Sequence, residues 1–91
     1  MATVIIPTPL RKFTNNTGRL HVQAGDIFGS IQEIASRFPE LKKHLLDEKG
    51  QIRSFVNIFL GEEDIRNLAR EKTTIQENSV ISIVPAIAGG V

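Results

Sequence analysis

The sequence predicts an α+β domain: a mixed sheet of four to five strands packed on one main helix, with a short second helix. Three observations carry this. Residues 3–6, 19–23, 55–60 and 80–84 are β-branched or alternating runs that read as strands. Between the second and third runs, residues 27, 28, 31, 34, 35 and 38 are apolar at helical spacing. Ninety-one residues make a single domain, 1–91, with a modest core.

Taken in order, Thr3-Val4-Ile5-Ile6 is an apolar run closed by Pro7. Thr8 to Phe13 bends away, and Thr14-Asn15-Asn16-Thr17-Gly18 is a turn of residues that tolerate unusual backbone angles. Arg19-Leu20-His21-Val22-Gln23 alternates polar and apolar, as a strand with one wet face does. The two strands form a hairpin.

Asp26 is one start signal for the helix that follows; Ser30 with Glu33 is a competing capping pair. Glu33 and Arg37 stand four apart in the better orientation, worth roughly 0.2–0.5 kcal/mol. Gly29 inside the helix should weaken it by about 1 kcal/mol relative to Ala. Pro39 stops this helix near Phe38 and opens a second, short one with Leu41 and Leu45 on its inner face.

Asp47 to Gln51 is a solvated turn. In the strand signal of 55–60, Val56, Ile58 and Leu60 share a face assigned to the core, while Phe55, Asn57 and Phe59 share the other. Gly61-Glu62-Glu63-Asp64 is a turn. Residues 65–74 are irregular or briefly helical, with a short strand expected around Thr73 to Ile75. The last strand, Val80 to Val84, ends at Pro85, which has no N–H for a ladder. A right-handed crossover after the hairpin would lay this strand parallel to the first. That order is the β-grasp, or ubiquitin-like, arrangement, with residues 86–91 leaving it as a thin, flexible tail.

Eleven basic and ten acidic residues leave a formal charge of +1, which argues against nucleic acid or an anionic membrane as partner. No apolar run is long enough to span a bilayer and no signal-like segment opens the chain, so a cytoplasmic protein is expected. Cys is absent: no disulfide framework, no thiolate metal site, and no cysteine persulfide of the protein's own.

The β-grasp order ending in Val84-Pro85-Ala86-Ile87-Ala88-Gly89-Gly90 resembles the bacterial ubiquitin-like sulfur carriers of the MoaD/ThiS family. Ile6-Pro7-Thr8 with Leu10-Arg11, Arg53 to Phe59, and Glu63-Asp64-Ile65-Arg66 carry the likeness through most of the chain, and point most towards the carriers of cysteine biosynthesis. The resemblance implies a protein cosubstrate rather than an enzyme, with no catalytic residue and no bound cofactor. An adenylating, E1-like partner uses ATP to activate the carboxylate of Gly90; a sulfur donor displaces AMP, and the resulting thiocarboxylate serves a sulfur-acceptor enzyme such as a cysteine synthase. Ala88, Gly89 and Gly90 form the part slender enough for a partner's channel, since Gly has no Cβ to obstruct close approach. The family's carriers end at Gly-Gly, whereas Val91 follows Gly90 here. As written, the Gly90 carbonyl is an amide and cannot be adenylated. The resemblance therefore implies a precursor, processed between Gly90 and Val91 by a peptidase such as a zinc metallopeptidase of the JAMM type.

Alternative destinations for the sulfur are thiamine, molybdopterin, homocysteine and tRNA thiolation. Two other classes are a ubiquitin-like modifier joined through Gly90 to lysines, and a non-catalytic interaction domain. Phe59, with Ser82 and Val84 on the outer sheet face, is a candidate patch for the activating enzyme; the competing reading is a Phe covered by the loop of 62–70. His21 and His44 lie on different elements without further ligands at useful spacing, so no metal site is expected. Glu62-Glu63-Asp64 lacks the alternation of a calcium loop, and Lys42-Lys43 with Arg37 reads as the wet face of a helix.

Overall fold

A computed structural model describes residues 1–85. Its elements are β1 (Ala2–Ile5), β2 (Arg19–Val22), α1 (Ile27–Arg37), α2 (Pro39–Leu45), β3 (Val56–Leu60), β4 (Glu63–Asp64) and β5 (Val80–Pro85). The five strands form one sheet in the order β2-β1-β5-β3-β4. β5 is central. It runs parallel to β1, with Val4 opposite Ile81, and antiparallel to β3, with Ile58 opposite Ile83. The β-grasp expectation holds, and the sheet is mixed as read.

Strand alternation divides the sheet into two faces. Val4, Leu20, Val22, Val56, Ile58, Ile81 and Ile83 are buried, together with Ile27, Ile31 and Ile34 of α1 and Leu41 and Leu45 of α2. This is the covered side. The hairpin pairs antiparallel as expected, but its connection contains a 3-10 helix over Thr8–Phe13 that buries Leu10. Asn15 and Asn16 take positive φ in the turn after it, as the residue types allow.

Of the two competing helix starts, Asp26 is the cap: its Oδ1 accepts from the Gly29 N–H at 2.7 Å. Ser30 instead donates its hydroxyl to the Asp26 carbonyl. Gly29 is not the weakness it seemed. A Cβ there would lie 2.9 Å from both Ala24 Cβ and Asp26 Oδ1, so the close approach of cap and preceding loop requires glycine. Phe28 belongs off the inner face: it is 40% exposed, because it lies about 100° round the helix from Ile27, at the edge of the apolar stripe. Glu33 both pairs with Arg37 and accepts from the Gln23 and Ala24 N–H groups, tying α1 to the end of β2.

Two further expectations are corrected. Glu63–Asp64 is not simple turn; Gly61, at φ 63°, turns the chain so that Leu60 pairs with Glu63 and Phe59 with Asp64. The short strand expected around Thr73 to Ile75 is instead one isolated bridge, Thr74 to Asp26, which closes the loop over the start of α1. Leu60 is only partly buried, at the margin of the core.

Candidate functional site: the open sheet face and the root of the tail

The side of the sheet away from the helices carries the other half of each alternating pattern. One row crosses all five strands. Arg19 stands opposite Ile5, Ile5 opposite Ser82, Ser82 opposite Phe59, and Phe59 opposite Asp64. The row has a cation at one end, a carboxylate at the other and apolar or small side chains between. In the next row towards the end of β5, Asn57 faces Val84. The structure thus brings Phe59 and Ser82 side by side and sets Val84 on the adjoining row. Val84 is 45% exposed; Phe59 and Ser82 are half-buried. Phe59 is flanked by Asp64 of β4 and by Ser82 without being enclosed.

Three polar residues that the sequence reading did not join form a network beside this patch. Arg66 donates from Nε and Nη2 to the two oxygens of Asp64, at 3.2 and 2.9 Å, and from Nη2 to Asn57 Oδ1. The Arg66 N–H also donates to Asp64 Oδ1. These side-chain and backbone hydrogen bonds hold the Asp64 carboxyl below its ordinary value. The fork of a guanidinium suits a carboxylate bound through both oxygens. Its effect is to pin the 3-10 turn Ile65–Asn67 to β3 and so hold the border of the patch in shape. The signal was present in the contiguous Glu63-Asp64-Ile65-Arg66 stretch, but its third member, Asn57, required the β3–β4 pairing.

Phe55, one residue ahead of β3, is 45% exposed and adds a second aromatic at the end of the sheet where β5 finishes. That end is fixed by the pairing of Pro85 with Val56. Ala88, Gly89, Gly90 and Val91, the residues singled out for carrier chemistry and processing, lie outside the described residues, as does the boundary assigned to the flexible tail.

His21 lies on the open face, two residues along β2 from Arg19 and in a row with Thr3 and Val80, whereas His44 stands on α2, off that face. The His44 ring stacks on Phe13 with centroids 4.4 Å apart, and His21 Nδ1 is 3.3 Å from Thr3 Oγ1. Among the described residues no three His, Asp or Glu side chains come together as a metal site, and no helix is long and apolar enough to cross a membrane.

Known proteins give this geometry a context. The model of the ThiS family matches residues 4–90, ending at Gly90. The sulfur carrier protein CysO of Mycobacterium tuberculosis is 36% identical over 92 aligned positions, covering 97% of each chain. In the solved Amycolatopsis orientalis BexX/CysO complex, a chain superposes with a TM-score of 0.88 at 28% identity, covering 99% of this chain and 100% of that one. Small archaeal modifier protein 1 of Methanosarcina acetivorans superposes at a TM-score of 0.86 with 23% identity, over 98% of this chain and 95% of that one, a likeness of fold alone. The β-grasp sheet with the last strand at its centre, and a family match through to Gly90, lead to one assignment: this chain belongs to the ThiS family, the MoaD/ThiS group of ubiquitin-like proteins.

Proposed function

We propose that this protein is a sulfur carrier that bears sulfur as a thiocarboxylate on Gly90, most directly for cysteine biosynthesis. The observation that carries the reading is the near end-to-end identity with a protein named as a sulfur carrier, 36% over 97% of both chains. The chemistry needs little from the domain. A carboxylate is a poor electrophile. On an E1-like partner its oxygen attacks the α-phosphorus of ATP and pyrophosphate leaves; a sulfur nucleophile then displaces AMP from the acyl carbon. ATP is the partner's substrate, and the carrier holds no cofactor and supplies no catalytic side chain. Its part is to present one reactive atom on a narrow stalk, Ala88-Gly89-Gly90, to the activating enzyme and then to a sulfur-acceptor enzyme such as a cysteine synthase.

The patch of Phe59, Ser82 and Val84 is the surface that docks on the activating enzyme. It is apolar at its centre, ringed by polar groups, and continuous with the strand that ends at the tail, features of an interface core. A solved complex of a similar chain, BexX/CysO, supports a partner-bound working state. Because Val91 follows Gly90, activation requires cleavage after Gly90, for which a JAMM-type zinc metallopeptidase is the proposed agent.

Intact mass spectrometry of the native protein from its own cells, without reductant, tests the reading. The expected species ends at Gly90 and carries sulfur in place of one carboxylate oxygen. Isopeptide conjugates to other proteins would point to a modifier instead. A pool that retains Val91 with no thiocarboxylate form would overturn carrier chemistry.

A further inference from the structure

One cleft lies by the end of the sheet where β5 finishes, outside the Phe59 patch. It has a volume of about 190 Å³, and Val56, Ile58 and Ile65 line it together with Arg53, Arg66, Arg70 and Glu71. The three isoleucine and valine side chains are buried, so they form an apolar floor that is part of the core. Three guanidiniums and one carboxylate make up the charged rim. They come from separate segments: Arg53 ahead of β3, Arg66 in the 3-10 turn after β4, and Arg70 at the start of the next such turn.

Their hydrogen bonding is unequal. Arg66 is committed to Asp64 and Asn57. Arg53 uses Nε on the Lys43 carbonyl at 3.0 Å, which fixes its direction and engages no carboxylate. Among the described residues no acidic oxygen lies within ion-pair distance of Arg53 or Arg70. Arg70 carries a second peculiarity. Three non-glycine residues in the described chain have positive φ; two are the turn asparagines, and the third is Arg70, at 54°. A left-handed backbone is unfavourable for a long, β-substituted side chain, and such strain persists only where something else requires the residue. Glycine would suit the turn better; arginine is what stands there.

We propose that this cleft is a docking socket for acidic side chains of the adenylating partner, on the rim of the channel that receives the tail. Its position supports that occupant, since Val56, which lines the cleft, pairs with Pro85, the last residue of β5 and five residues ahead of Gly90 in sequence. A partner that engages the end of β5 comes beside this cleft. Its charge supports it too: the rim has a surplus of guanidinium, and Arg is the side chain best suited to binding carboxylates through two oxygens. The socket would orient the carrier as the tail is threaded, separately from the apolar contact on the open face. This inference rests on the proposed activation of Gly90.

The test is ATP–pyrophosphate exchange by the cognate adenylating enzyme, with carrier ending at Gly90 as substrate, at low and high salt. Arg53→Glu and Arg70→Glu are each expected to raise KM about three- to tenfold at low salt with kcat unchanged, and to flatten its salt dependence. Arg70→Gly separates docking from folding: it should raise the thermal midpoint by relieving the backbone while still raising KM. Unaltered KM and salt dependence in folded Arg53→Glu and Arg70→Glu proteins, with the unsubstituted carrier active, would overturn the socket and leave carrier function standing. Inorganic phosphate titrated by amide chemical shift is the second arm. Saturable binding at Arg53 and Arg70 with KM unaffected by their substitution would make the cleft a small-anion site and overturn protein docking. No exchange with unsubstituted carrier would remove the proposed function and the socket with it.

Discussion

The two faces of the sheet are built from the same strands and answer to different demands. On the covered face, Val4, Val22, Ile58 and Ile81 meet Ile27, Ile31 and Ile34, all at 2% exposure or less. These are β-branched side chains in close contact, where a missing methyl leaves a void. On the open face the corresponding positions are Ile5, Asn57, Phe59, Ser82 and Val84, mixed in size and polarity, and Val84 keeps nearly half its surface in water. The alternation of a strand lets one segment do both: Ile58 is buried in the core while Phe59, its neighbour, keeps part of its ring in solvent. A fold of this size needs one face for stability, which leaves the composition of the other less constrained by packing.

The strongest way to break that division is to cut into the covered face. Ile31→Ala removes three carbons from a fully buried site beneath the sheet and is expected to cost about 2–5 kcal/mol. In a domain of this length each kcal/mol shifts the melting midpoint by about 4–8 °C. Thermal and urea melts measure it. A loss below about 1 kcal/mol would mean that the helix–sheet layer is not the seat of stability.

Phe59→Ala probes the open face at its centre. Because the ring is half-buried between Ser82 and Asp64, the expected stability loss is smaller, about 1–2 kcal/mol. Its larger consequence should be in activation: KM for the carrier ending at Gly90 should rise about tenfold, equivalent to about 1.4 kcal/mol of docking. If adenylation kinetics stay unchanged in a folded Phe59→Ala protein, Phe59 is a covering residue and the interface lies elsewhere.

The strength of each sequence signal tracked how local its cause was. The 19–23 and 55–60 alternations, the Asp26 cap and the Pro39 break depend on neighbours within a few residues, and each appears in the fold. Phe28 fits the apolar spacing of α1 and yet is exposed, because spacing cannot say where the stripe ends; only the sheet beneath α1 decides that. β4 was read as turn because two residues, Glu63 and Asp64, carry no strand pattern of their own and pair only because Gly61 reverses the chain. Gly29 looked like a defect by propensity, whereas its role comes from Ala24 and the Asp26 cap closing on it. At the site, Phe59, Ser82 and Val84 were legible one by one as residues of the outer sheet face. Their adjacency follows from β3–β5 register, and the guanidinium cleft needs three segments that only the folded chain assembles. The sulfur's destination is a property of an acceptor's surface, so this chain's residues constrain it only through kinship.

The smallest predicted effect sharpens the border between the faces. Asp64 is held ionised by the Arg66 side chain and N–H, which places its carboxyl in the folded protein below its ordinary value of 3.8. A carboxylate depressed on folding contributes stability that is complete above the unfolded value and is lost as pH falls through the folded one. The difference in melting midpoint between the unsubstituted protein and Asp64→Asn should therefore be constant from about pH 7 to about pH 5 and shrink as pH falls below about 3.8. Asp47 is depressed as well, by N–H donation from Gln51 and Lys49. It titrates in the same acid range in both proteins and so cancels from the difference. Since the Arg66 side of the pair is half exposed, salt should diminish the effect. A difference that stays constant down to about pH 2.5 would mean that Asp64 acts through shape or neutral hydrogen bonding, and that ionisation does not hold the turn against β3.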